Sequence, residues 1–153
     1  MKLAKAILRA KRVYIAGNGG SAANAVHIAN DLISCGIRAY PLTGDVATLT
    51  AIANDFGYEN IFSHQIKVFG EKGDLLIVLS GSGRSENIVN AINMAKSLSM
   101  DTFSIVGEFN DAPPAAILAS RCIKFGKTMQ EAEEKQLVLG HKAMLWIKAE
   151  CAV

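Results

Sequence analysis

The sequence predicts an α/β fold of three layers, α/β/α, in which helices cover both faces of a parallel sheet. Short β-branched runs alternate with amphipathic stretches along the chain, and this alternation is typical of repeated strand–helix–strand units. Half of the 153 residues are hydrophobic and only 7% are aromatic, so we expect aliphatic packing between the layers. A chain of this length is expected to form a single domain over residues 1–153.

The first half of the chain predicts two strands and four helices. Residues 21–34 place Ala22, Ala25, Ile28, Ala29 and Leu32 three or four positions apart, as one buried helix face requires. Residues 12–16 and 39–42 are short apolar runs with the length of strands. The predicted elements are a helix at 2–10, a strand at 12–16, helix 21–34, strand 39–42, and helices at 47–54 and 61–69.

The second half continues the alternation and ends in a long helix. Aliphatic runs predict strands, and the amphipathic stretches between them predict helices. Pro113 and Pro114 are expected to break the chain. The predicted elements are strand 74–79, helix 85–98, strands 102–106 and 121–125, and a helix at 130–150.

Two glycine-serine loops, each between a predicted strand and a predicted helix, are the most informative feature of the sequence. Residues 17–21 are Gly-Asn-Gly-Gly-Ser, and residues 80–85 are Ser-Gly-Ser-Gly-Arg-Ser. Glycine allows a ligand close to the backbone, and free amides at a helix start favour an anion. The hydroxyls of Ser80, Ser82 and Ser85 suit phosphoryl oxygens. An ordinary strand-to-helix turn with a serine cap explains one such loop, but two together predict a phosphate ester site at the carboxyl edge of the sheet.

Several other classes of protein are disfavoured. Gly17-x-Gly19-x-x-Ala22 formally matches a dinucleotide fingerprint, but the second strand is followed by no acidic residue before Asp45. The net charge of +2 comes from scattered basic residues, so we expect no nucleic acid and no membrane partner. Three cysteines without metal-like spacing and no long apolar run favour a reduced, cytoplasmic setting.

Residues 17–27, 49–59 and 80–85 together resemble the sugar isomerase (SIS) domain, in particular its phosphoheptose isomerase branch. The resemblance covers nearly the whole chain and keeps the order and spacing of the three motifs. It implies a flavodoxin-like fold, a homotetramer, and a ketose–aldose phosphate isomerase that acts on sedoheptulose 7-phosphate. It also implies an alternative, a phosphosugar-binding or protein-binding module of the kind that associates with the bacterial replication initiator.

The resemblance also implies which residues hold the substrate. The phosphate would be bound by Ser80, Ser82 and Ser85, and the sugar would lie near Asn18, Gly19 and Ser21, with Asp55 as a candidate contact to its hydroxyls. Two positions of the second loop depart from the family pattern: Gly81 stands where Thr is usual, and Arg84 stands where Asn is usual. These departures bear more on substrate identity than on phosphate binding.

Asp31 and His141 take the acid and base roles that the resemblance implies. A zinc site in some family members corresponds here to His27, Asp31, Glu133 and His141, with Asp in place of Glu at 31 and Glu in place of Gln at 133. Two histidines and two carboxylates suit zinc or another divalent ion. The alternative is that His27 and His141 are helix histidines satisfied by neighbouring carboxylates.

The last predicted helix also bears on assembly. Its apolar set is broader than one core stripe needs, which predicts a dimer or tetramer. The set comprises Leu137, Leu139, Met144, Leu145 and Ile147.

Overall fold

A five-stranded parallel sheet organises residues 1–151, the part of the chain that this computed structural model describes. The strands are β1 (Val13–Gly17), β2 (Ala39–Pro41), β3 (Leu75–Ser80), β4 (Asp101–Val106) and β5 (Arg121–Lys124). They lie in the order β2-β1-β3-β4-β5, and every neighbouring pair is parallel. This is the flavodoxin-like order, in which the chain reverses its direction across the sheet between β1 and β3.

Seven helices cover the two faces of this sheet. They are α1 (Lys2–Arg9), α2 (Gly20–Ile33), α3 (Val46–Phe56), α4 (Ser63–Phe69), α5 (Glu86–Ser97), α6 (Pro114–Leu118) and α7 (Met129–Cys151). One core cluster joins α1, α2 and α7 to the sheet, and a second joins α3, α4, α5 and α6 to its other face. The predicted three-layer α/β/α architecture is therefore confirmed.

The alternation of side chains along the strands explains the two cores. In β1, Val13 and Ile15 belong to the cluster under α2 and α7, whereas Tyr14 and Ala16 belong to the other. Every residue of β3 is buried, because a central parallel strand has helices on both sides. A continuous aliphatic run is thus what this position in the sheet requires.

Most predicted elements occur within one or two residues of their expected bounds, but α6 was not predicted. Pro113 and Pro114 were expected only to break the chain, whereas Pro114 is the first residue of α6. Proline is well tolerated there, since the first amide of a helix has no intrahelical partner. A short 3₁₀ helix, Tyr58–Asn60, also precedes α4.

Asp45 fixes the start of α3. Its carboxylate accepts hydrogen bonds from the Ala47 amide and the Thr48 hydroxyl, as an N-cap does. The hydrogen bond from Thr48 lowers the pKa of Asp45 below its usual value. Within residues 1–151, no helix combines the length and the apolar character needed to cross a lipid bilayer.

Candidate functional site

The two glycine-serine loops lie side by side at the carboxyl edge of the sheet. The first follows β1 and the second follows β3, and these strands are neighbours in register, with Gly17 beside Leu79. The chain reverses direction between these two strands, and a crevice opens at such a point in α/β sheets. The fold therefore brings together two loops that stand about sixty residues apart in the sequence.

The first loop is a tight turn that needs its glycines. A Cβ on Gly17 would lie 2.6 Å from the carbonyl oxygen of Ser21, and Gly19 has a φ of +57°. At Gly20 a Cβ would lie 2.6 Å from Cδ of Glu133, so the carboxylate of this α7 residue rests on the loop. The first turn of α2 is therefore covered by an acidic side chain from the last helix.

Asn18 connects three separate segments at the crevice. It forms a reciprocal pair of amide hydrogen bonds with Asn87 of α5, each 2.9 Å long, and its Oδ1 also accepts from the Tyr58 hydroxyl at 3.0 Å. A cavity of about 320 Å³ opens beside this group, lined by Asn18, Gly19, Tyr58 and neighbouring side chains. Asn18 and Gly19 thus border open space, as a substrate contact must.

Ser21 lies on the inner side of the same loop. It is 3% exposed, and its hydroxyl donates to Oε1 of Gln136 at 3.0 Å. Asn24 donates to the same oxygen at 3.2 Å and to the carbonyl of Glu133 at 2.8 Å. Nε2 of Gln136 is buried without a hydrogen-bond partner. In this conformation, the hydrogen bond from Ser21 to Gln136 connects the first loop to α7.

Two serine hydroxyls of the second loop form hydrogen bonds within the loop itself. The Ser80 hydroxyl accepts from the Gly83 amide at 3.0 Å, and the Ser82 hydroxyl accepts from the Arg84 amide at 3.2 Å. Ser85 precedes α5, and its side chain makes no capping hydrogen bond. The Ser82 and Ser85 side chains are half-buried, so both can reach a ligand at the start of α5.

Arg84 and Asp55 stand further from the crevice. The guanidinium of Arg84 donates to the carbonyl of Asp111 at 3.1 Å, which points it toward the loop before α6. Asp55 is exposed near the end of α3, where Asn54 donates to its carboxylate at 2.8 Å. Asp55 is not among the residues that line the cavity.

His27, Asp31 and His141 form a compact triad on the face of the sheet covered by α2 and α7. The two Nε2 atoms are 3.0 Å apart, and Oδ2 of Asp31 lies 3.6 Å from that of His27 and 3.4 Å from that of His141. His27 and Asp31 share one face of α2 because they are four residues apart. Gly140 permits the contact, since a Cβ there would lie 2.5 Å from Ile28.

The triad has the chemistry of a cation site. Oδ2 of Asp31 is buried and has no hydrogen-bond partner, which is costly for a carboxylate oxygen. Two imidazole nitrogens and this oxygen lie within 4.8 Å of one another. A divalent ion or a shared proton between them would satisfy all three atoms, and nitrogen and oxygen donors of this kind suit zinc.

Glu133 does not join this triad. Its carboxylate lies against Gly20, whereas His27 and His141 meet two turns further along α2 and α7. The predicted group of four residues is thus divided, within one chain, into a triad and a separate acidic side chain over the first loop.

Three residues of the site carried no signal in the sequence. Asn87, Gln136 and Met129 contact the glycine loops from other elements of the fold. Each is a common residue in a helix, so only the fold reveals its position.

Comparisons with known proteins agree with this geometry. The family model described as SIS domain matches residues 1–107. A phosphoheptose isomerase 2 of Campylobacter jejuni is 37% identical over 92% of this chain and 73% of its own length. A phosphoheptose isomerase of Aneurinibacillus thermoaerophilus is 39% identical over 85% and 68% of the two chains. A solved phosphoheptose isomerase of Francisella tularensis superposes with a TM-score of 0.90 at 29% identity, over 97% and 83% of the two chains.

A flavodoxin-like sheet with two glycine-serine loops at the reversal point is the architecture of a sugar-phosphate-binding domain. The chain belongs to the SIS-domain family. Within that family it belongs to the phosphoheptose isomerase branch.

Proposed function

We propose that this protein is a ketose–aldose phosphate isomerase that converts sedoheptulose 7-phosphate to glycero-manno-heptose 7-phosphate. The observation that carries the proposal is the triad, in which a buried carboxylate oxygen without a partner faces two imidazole nitrogens. The names of the relatives supply the substrate class. Family membership and the geometry of the triad support the same reaction.

The phosphate would lie at the second loop, at the start of α5. Free amides and the positive end of this helix favour an anion, and Ser82 and Ser85 have hydroxyls within reach of it. Ser80 would act mainly by holding the loop, because its side chain is buried and its hydroxyl accepts from the Gly83 amide. The sugar would extend toward Asn18 and Gly19 beside the cavity.

Isomerisation moves one proton from C1 of the ketose to C2, which is its carbonyl carbon. In the proposed reaction, Asp31 removes the proton from C1, and His141 donates a proton to the carbonyl oxygen at C2, which gives an enediol. Return of a proton to C2 and loss of the proton from the oxygen on C1 complete the aldose. A carboxylate suits the removal of a proton from carbon, and an imidazole suits the donation of a proton to oxygen.

Zinc is the cofactor that we propose for this site. His27, Asp31 and His141 would hold it, with Glu133 of the predicted set lying apart from them in this chain. When bound, zinc supplies a Lewis acid that polarises a carbonyl or hydroxyl oxygen.

We also propose that the protein forms a single SIS domain over residues 1–153, assembles as a homotetramer and functions in the cytoplasm. The sheet and both cores draw on elements from α1 to α7, which supports one domain. Several apolar side chains of α2 and α7 are exposed in the isolated chain, which supports assembly.

A turnover assay tests the proposal. Purified protein is treated with a chelator and given sedoheptulose 7-phosphate with and without added zinc, and the aldose product is measured. We expect isomerisation, with activity restored by zinc. The alternative is a phosphosugar-binding or protein-binding module without catalysis, which the separation of Glu133 from the triad favours. Binding of sugar phosphate without turnover under either condition would establish that alternative.

A further inference from the structure

The side chain of Met129 occupies the space that a side chain at residue 81 would need. A Cβ on Gly81 would overlap the thioether sulfur of Met129 and would lie 3.1 Å from its Cε and 3.7 Å from its Cγ. These three Met129 atoms are the nearest neighbours of that position. The Met129 side chain can therefore take this position because residue 81 has no side chain.

Backbone geometry does not require glycine at this position. Gly83, in the same loop, has a φ of +64°, a conformation that other residues rarely adopt. Gly81 is not among the residues with positive φ, so a residue with a Cβ could adopt its backbone conformation. In this structure the thioether, rather than the turn, takes the space of a side chain at residue 81.

Met129 is also placed to influence a ligand. It is the first residue of α7, and 40% of its surface remains exposed, so one part of the side chain covers the second loop while another meets solvent. Glu133, four residues later on the same helix, covers Gly20 of the first loop. The first two turns of α7 thus cover both glycine loops, with an apolar side chain on one and an acidic one on the other.

We propose that Met129 is a specificity-determining residue for the phosphate end of the substrate. The inference rests on the proposed function, because it assumes that the second loop binds phosphate. With Gly81 and Met129, the loop has an apolar wall next to its amide and hydroxyl donors. That wall limits how far the phosphate enters the loop, and hence which length of sugar phosphate places its carbonyl at the triad.

Three variants test this wall: Met129→Ala, Gly81→Thr and the double variant. Met129→Ala should keep inorganic phosphate binding within about threefold of the wild type, because the amide and hydroxyl donors remain. Its preference in kcat/KM for heptulose over hexulose and pentulose phosphates should fall by about tenfold, as expected when apolar contacts that define a pocket are lost. Met144→Ala, in the same helix but away from the loops, serves as the control and should leave this preference unchanged.

Gly81→Thr should push the thioether out of this place, because the atoms in the way belong to a flexible, half-exposed side chain, and the preference for heptulose phosphates should then fall by about tenfold, as in Met129→Ala. Adding Met129→Ala to Gly81→Thr should change this preference by less than about twofold, which is the non-additivity expected of residues in contact. Additive effects on substrate preference would overturn the inference, as would an unchanged substrate preference in Met129→Ala. If Gly81→Thr does not fold, the substrate preference of Met129→Ala alone tests the inference. Failure of the proposed function looks different, because the wild type itself would then turn over no sugar phosphate.

Discussion

At the residue scale, the proposed chemistry requires the short distances among His27, Asp31 and His141. Asp31→Asn and His141→Asn should each reduce turnover by roughly 10²–10⁴, since each removes a group that moves a proton. Affinity for the sugar phosphate should change little, because the proposed phosphate site is the second loop. Steady-state kinetics and titration calorimetry measure the two effects separately. His64→Asn is a matched control, because His64 stacks on Phe56 on the opposite face of the sheet.

The same variants distinguish proton transfer from metal binding. If the triad acts only as a metal site, activity should fall together with zinc content, and excess zinc should restore part of it. Asp31→Glu adds one methylene and tests whether the shorter carboxylate limits the rate. Full activity in Asp31→Asn would exclude both roles for this residue.

The proposed phosphate site at the second loop leads to a separate prediction. The double substitution Ser82→Ala, Ser85→Ala should weaken sugar phosphate binding by about tenfold or more, because two hydroxyl donors to a charged group are lost. Titration with sedoheptulose 7-phosphate and with inorganic phosphate measures the change. Ser97→Ala, at the exposed far end of α5, provides the control. Unchanged affinity in the double variant would place the phosphate elsewhere.

Sequence reasoning identified some site residues and missed others for a physical reason. Glycine and serine at a strand end, and histidine four residues before an acid, have local signatures that predict their position. Gln136 and Asn87 have no such signature, because their partners stand 115 and 69 residues away in the sequence. The placement of Glu133 beside Gly20, away from the histidines, likewise depends on how α7 packs on α2.

At the element scale, the contact between α2 and α7 should be sensitive to one methyl group. Gly140→Ala would place a Cβ 2.5 Å from Ile28, and such overpacking costs about 1–3 kcal/mol. For a domain of this size the Tm should fall by roughly 2–12 °C. Zinc affinity should fall as well, since the helices that carry His27 and His141 would separate. Thermal melts and zinc titration test this, with the exposed Lys142→Ala as control.

Aliphatic runs and helices with one buried face were predicted well, whereas the shortest helix was not. The strands β1, β3 and β4 are aliphatic runs, and α2 and α5 bury one face each. The helix α6 has only five residues, which is too short for a period to be recognised. Pro113 and Pro114 did not indicate this helix in the sequence, because proline can end one segment or begin a helix.

At the scale of the whole molecule, the exposed apolar side chains predict self-association. Of the apolar set on α7, Leu139 and Ile147 are buried in the chain's own core, but Leu145 is 61% exposed. Val26 and Ile33 of α2 and Val138 of α7 are exposed as well. We expect a dimer or tetramer at micromolar concentration in sedimentation experiments.

One substitution tests which surface is involved. Leu145→Glu places a charge on this apolar surface and should shift the distribution toward smaller species, whereas the already polar Lys142→Ala should not. A monomeric wild type at micromolar concentration would contradict the expectation of assembly.

Side chains of α7 contact both glycine-serine loops, and this affects the order in which parts of the protein fold. The first loop, the second loop and His27 all precede residue 86, and the strands that support the loops can pair without the last helix. Glu133, Gln136 and His141 reach their partners only when α7 docks across more than one hundred residues of intervening chain, and such distant contacts form slowly. We therefore expect a ribosome-bound or freshly refolded chain to pair β1 with β3 before α7 covers the loops and before the proposed reactive centre is assembled.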